Sequence, residues 1–146
     1  MTTGVGNRVT TMTAAALEAI RAHGVQTFPD ECCGALIAAG GVIVEAFALP
    51  NTTTSGAARR FQISPRDYRA AEARATELRA TLAGFYHSHP NHPARPSQHD
   101  LDQAWPNFSY VIISVNAAVP GDITCWHLKD DRSAFEQGEL ICPTES

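Results

Sequence analysis

The sequence predicts a single α/β domain, on three observations. Segments with helical periodicity alternate with strand-like runs through the first two thirds of the chain. Its 146 residues, 44% of them hydrophobic, suffice to bury one core of ordinary size. No internal repeat or low-complexity tract interrupts the pattern. One domain over residues 1–146 is expected, with its core at about 11–130 and a C-terminal extension at 131–146.

The first helix is read over residues 13–21. Leu17, Ile20 and the alanines form its apolar face, Thr11 or Thr13 supplies the N-cap, and Gly24 is expected to end it. Pro29-Asp30-Glu31 leads into a short apolar run at 33–38, read as a strand. Gly40-Gly41 is a hairpin turn signal, and residues 42–49 read as the partner strand. Residues 50–60, rich in Thr, Ser, Gly and Asn, read as a loop. Ser64-Pro65-Arg66-Asp67 opens the second helix: serine caps, proline takes the first helical position, and aspartate can return to the cap. Tyr68, Ala71, Ala75, Leu78 and Leu82 recur at steps of three and four and form its apolar face, with Arg66, Arg69, Arg74 and Glu77 toward water. Residues 83–89 look like a strand with histidines at its end. A proline-studded loop at 90–96 and a short helix from Ser97 to about Trp105 follow. Residues 108–115 and 123–128 read as strands, and 135–141 as a weaker one.

Charge and cysteine usage exclude several function classes. A formal net charge of −4 gives no basic footprint for nucleic acid, and Arg59-Arg60 alone is too short to make one. The first ten residues lack the charged start and apolar run of a signal peptide, and no stretch approaches a membrane span. A cytoplasmic protein with neither nucleic-acid nor membrane partners is expected. Cys32, Cys33, Cys125 and Cys142 form no CxxC pair, so neither a cysteine zinc module nor a dithiol redox motif is indicated. In a reducing compartment they are expected to be thiols. Cys32-Cys33 reads as small buried residues at a strand start, with a regulatory thiol or an extra metal ligand as the alternative.

The densest chemistry lies in His87-Ser88-His89-Pro90 and Ser97-Gln98-His99-Asp100. A catalytic zinc typically takes three protein ligands from His, Asp or Glu and keeps a fourth position for water. On a strand, His87 and His89 project to one side while Ser88 points away. On a helix, Ser97 and Asp100 share a face, whereas His99 and Asp102 turn elsewhere. Each half also has a plain structural reading: histidines at a sheet edge, and a serine cap with an acid three residues on. A zinc hydrolase further needs a carboxylate to move the proton of the attacking water. Asp67, Glu72 and Asp102 read as helix-surface charges, and Glu45 as a solvated mid-strand acid. Glu31 differs because small residues after it let a backbone approach closely; it is one candidate base.

Glu31-Cys32-Cys33-Gly34 after Pro29, then His87-Ser88-His89-Pro90, then Ser97-Gln98-His99-Asp100, resembles the JAMM motif of MPN+ zinc metallopeptidases. The resemblance runs from about Pro29 to Leu128. It includes Asn51, Phe61-Gln62-Ile63-Ser64-Pro65, Ala104-Trp105-Pro106 and residues 110–115, and is closest to the compact prokaryotic branch. It implies a mixed sheet flanked by helices in a deaminase-like three-layer arrangement. It implies one zinc ion per chain on His87, His89 and Asp100, with Glu31 activating the water. Ser97 would hydrogen-bond the oxyanion, and Ser88 and Pro90 would shape the strand end. The implied activity is cleavage of an amide bond at the Gly-Gly tail of a ubiquitin-like, β-grasp sulfur-carrier protein. The alternatives are an isopeptidase that removes a ubiquitin-like modifier and a non-catalytic MPN scaffold. A nucleoside deaminase is disfavoured, because its His-x-Glu and Pro-Cys-x-x-Cys pattern is absent.

Overall fold

The computed structural model describes residues 8–143. In chain order these form β1 (Val9–Met12), α1 (Ala14–Thr27), β2 (Cys33–Ala39), β3 (Val42–Leu49), α2 (Pro65–Glu77), β4 (Thr81–Pro90), α3 (Gln98–Gln103), β5 (Ser109–Asn116), β6 (Val119–Leu128) and β7 (Phe135–Ile141). The strands make one mixed sheet in the order β1-β3-β2-β4-β5-β6-β7. β4 and β5 run parallel, and β1 pairs in parallel with both β3 and β7, closing the sheet on itself. The expected α/β class with a mixed sheet and flanking helices is what the chain adopts.

Alternation along the strands divides the interior in two. Tyr86, Val111 and Ile113 pack with Ala16 and Ile20 of α1. Their sequence neighbours Phe85 and Tyr110 pack with Ala71 of α2 and with Ala104 just beyond α3. Period-2 patterning therefore gives the sheet two apolar faces, each covered by helix, as buried strands require.

Several boundaries differ from expectation for identifiable reasons. Thr13 caps α1, its hydroxyl accepting from the Ala16 amide at 3.2 Å, but Gly24 does not end the helix. Gly24 is buried inside it, where an added Cβ would lie 3.0 Å from Val115 Cγ2. The glycine serves close packing rather than termination. Ser64 caps α2 as expected, with Pro65 in the first turn. The apolar stripe overran that helix, however: Leu78 is its exposed C-cap and Leu82 belongs to β4. β1 is four residues long and carries no alternation strong enough to read; Thr11, a proposed cap, lies within it. β6 starts four residues before the expected 123, after a turn in which Ala117 and Ala118 take φ of 50° and 65°. Two alanines in left-handed geometry give no glycine signal to find. β7 pairs with β6 and β1, so the sheet continues past residue 130.

Candidate metal centre

The centre is assembled where β2 meets β4 and the start of α3. β2 and β4 are antiparallel with Cys33 opposite His87, so the residues just before β2 lie against the end of β4. His87 and His89 project from the same face of β4, and their Nε2 atoms are 3.1 Å apart. Asp100 Oδ2 lies 3.1 Å from His87 Nε2 and 3.2 Å from His89 Nε2. All three residues are at most 8% exposed. His89 Nδ1 faces the Pro93 carbonyl at 2.8 Å, an arrangement that puts its proton on Nδ1 and turns the Nε2 lone pair inward. His87 is fixed by stacking on Phe61, with centroids 4.5 Å apart.

Asp100 reaches this cluster through helix-start chemistry. The Ser97 hydroxyl oxygen accepts from the Asp100 amide at 3.1 Å, and the Ser97 amide donates to Asp100 Oδ2 at 2.8 Å. This reciprocal capping box is the plain structural reading of Ser97-x-x-Asp100, and it is present. It does not compete with a metal role, because it is what aims the carboxylate. Burial opposes the charge on Asp100, but His87, hydrogen bonds with both imidazoles and the Ser97 amide prevail and hold it well below the usual carboxylate range. Burial keeps His87 below its ordinary value. Two imidazole nitrogens and a carboxylate oxygen thus converge in a buried site. That donor set fits a divalent cation, and zinc in particular takes such nitrogen and oxygen ligands.

Glu31 stands beside the trio and outside it. Its side chain is 1% exposed and Oε1 has no hydrogen-bond partner. Its carboxylate groups with His89 and His92, their ligand-type atoms all within 4.8 Å of one another. Burial, then the charge of Asp100, pushes the Glu31 carboxyl up to about 9. Its backbone is held on both sides: the amide donates to the Ala57 carbonyl at 2.8 Å, and the carbonyl accepts from Asn51 Nδ2 at 3.2 Å. The next amide, Cys32, donates to Ser88 Oγ at 2.8 Å.

The structure therefore brings together His87, His89, Asp100, Glu31 and Ser97. His99 joins neither metal-type group among the described residues, and Asp102 is a surface acid accepting from Gln98. Cys32 and Cys33 are buried free thiols outside both groups. Burial pushes Cys32 up to about 11 and Cys33 still higher, the state of packed, unreactive sulfur. The contacts of three further residues were not legible in the sequence. Ser88 ties the base segment to the ligand strand, Asn51 ties it to the loop, and His92 stacks on His89 with centroids 4.4 Å apart. The motif resemblance includes Ser88 and Asn51 without these contacts, and His92 is not among the residues it names.

A family model described as Prok-JAB, prokaryotic homologs of the JAB domain, matches residues 13–129. Tail tip assembly protein K of Escherichia phage N15 is 31% identical over 124 residues, 85% of this chain and 44% of that protein. The chain thus spans less than half the length of this curated relative. Among solved structures, a protein of Desulfitobacterium hafniense is similar with a TM-score of 0.79 and 30% identity, covering 94% of each chain. A protein of Salinibacter ruber gives 0.71 and 37%, covering 93% of each. The structure described as a metalloprotease-like zinc site in the proteasome and signalosome, JAMM, gives 0.55 at 18% identity, covering 92% of this chain and 99% of that one; it shares the fold.

Proposed function

The chain belongs to the prokaryotic homologs of the JAB domain, and from that premise we propose that it is a zinc-dependent peptidase cutting an amide bond at the C-terminal tail of a ubiquitin-like sulfur-carrier protein. One observation carries the reading: three buried ligand atoms converge within 3.2 Å beside a buried carboxylate that has an unpartnered oxygen. His87, His89 and Asp100 would hold the ion. Zinc bound there would polarise the scissile carbonyl and lower the pKa of a coordinated water to about 7.

The chain's own residues account for the remaining chemistry. Glu31 Oε1, free of hydrogen bonds, can take the proton of the attacking water and deliver it to the leaving nitrogen. Burial raises its proton affinity and favours uptake of that proton, while a cation held beside it would draw the carboxyl back down toward neutrality. The Ser97 oxygen already accepts the Asp100 amide, so its hydroxyl hydrogen is left to donate to the developing oxyanion. The Pro93 carbonyl fixes the tautomer of His89, and Phe61 excludes water from one face of His87.

A Gly-Gly tail suits the hollow beside Ser97, lined by Pro90, Asn91, His92 and Arg59, whose polar groups can recognise backbone where there are no side chains. A second reading, a non-catalytic module in a larger assembly, is favoured by the printed name of the phage relative alone. The intact donor set supports the enzyme. The test is to incubate zinc-loaded protein with a β-grasp carrier extended beyond Gly-Gly and read the carrier's mass. Loss of the extension supports the peptidase. An untouched carrier at full zinc occupancy rejects the substrate, and absence of zinc affinity rejects the enzyme.

A further inference from the structure

A second depression also reaches the metal centre, and apolar residues make up more of its lining. Phe61, Ile63, Trp105, Ile112 and Phe135 line it, with Gln62 and Gln103 as polar members and His87 and Asp100 in the same lining. Mostly apolar side chains thus bound a space that includes two of the three ligand residues. Trp105, half exposed, forms part of its rim, and buried Ala104 forms part of its wall. The cavity volume is about 90 Å³. An apolar cavity of ~150 Å³ accepts a benzene ring, so this one suits an aliphatic group and excludes an indole.

We propose that this pocket binds the aliphatic side chain, of valine, leucine or methionine size, on the residue released from the amine side of the scissile bond. The inference rests on the peptidase reading above. Glycines on the acyl side have no side chain to fill a pocket, and the hollow by Ser97 offers Arg59, Asn91 and His92 to their backbone. The apolar space therefore falls to the leaving residue. Continuity with His87 and Asp100 places its occupant next to the reacting amide, where filling the pocket orients the bond being broken. The pocket makes the enzyme selective for what it releases.

Two measurements on the zinc-loaded protein test this. In the first, carriers ending Gly-Gly-X, with X as glycine, alanine, leucine or tryptophan, are compared by kcat/KM. Leucine should exceed glycine by roughly tenfold or more, the scale of discrimination a hydrophobic pocket reaches, and tryptophan should fall below leucine. Ala104→Leu, which fills the space, should bring the leucine-to-glycine ratio near one at unchanged zinc content. Ile63→Ala, which enlarges it, should shift preference toward tryptophan. In the second, leucinamide and glycinamide are titrated while the Trp105 indole N–H is followed by NMR. Leucinamide alone should shift it, and Ala104→Leu or Ile63→Ala should weaken that shift. Equal kcat/KM for every X, with cleavage intact, overturns the pocket and leaves the peptidase standing. No cleavage of any carrier, with a leucinamide shift that Ala104→Leu removes, overturns the peptidase and retains an aliphatic-binding pocket. No shift and no preference overturn the inference outright.

Discussion

The Cys32 amide donates to Ser88 Oγ at 2.8 Å, and the Ser88 amide returns to the Cys32 carbonyl at 3.2 Å. These two bonds join the segment carrying Glu31 to the strand carrying His87 and His89. They fix the separation of base and ligands without either one touching the bond. Ser88→Ala should therefore leave zinc stoichiometry intact and lower kcat by about tenfold or more through a misplaced carboxylate. A buried amide left unpaired should also cost about 1–3 kcal/mol of stability. Urea denaturation, metal analysis and turnover separate the effects; unchanged kcat would show that the tether is only structural.

Glu31→Gln should retain zinc and lose turnover, because the amide keeps the shape and lacks the basic oxygen. His87→Ala and Asp100→Ala should lose both metal and activity. Metal content by mass spectrometry, set beside carrier cleavage, sorts the roles. Zinc at full occupancy in Asp100→Ala would remove it from the ligand set.

Gly34→Ala tests packing beneath the site. An added Cβ would sit 2.3 Å from Tyr86 Cε2, and the Tyr86 ring is 1% exposed, with its hydroxyl 2.7 Å from His23 Nδ1. The ring is enclosed by the core beneath α1, on the sheet face opposite His87, so it can move only by disturbing that packing. A loss of roughly 1–3 kcal/mol is expected, measured as a lower urea midpoint.

Acid stability should depend on Glu45. Hydrogen bonds from Arg74 at 2.7 and 2.9 Å hold its carboxyl below the ordinary value despite partial burial. A depressed carboxyl contributes stability above its unfolded pKa, and that contribution fades as pH falls through the folded one. The pair is partly solvated, so the contribution should stay under about 1 kcal/mol. Wild type and Arg74→Ala should therefore differ at pH 7 in low salt and converge as the pH falls through the lowered titration of Glu45, as followed by denaturant midpoints.

What the sequence makes legible is local chemistry with a strict period. Alternation at His87-Ser88-His89, the cap at Ser97-x-x-Asp100 and the Gly40-Gly41 hairpin all appear in the structure as read, because each is decided within a few residues. Glu31 is different. Its burial and its unpartnered oxygen come from pairing β2 with β4 across more than fifty residues of chain, so the sequence set it apart only by the small residues after it and by the motif it resembles. β1 was invisible because four residues cannot show a period and its partners, β3 and β7, lie far along the chain. Gly24 misled because a glycine required by Val115 looks, in one dimension, like a helix stop.

Asn51 has a reach that its half-buried position hides. One side chain donates to the carbonyls of Glu31 and Arg60 and accepts from the amides of Thr53 and Gln62. It is the knot between the base and the loop whose Phe61 covers His87. A single amide group thus carries four bonds that set the position of the loop relative to the backbone of Glu31, so replacing Asn51 would loosen both at once.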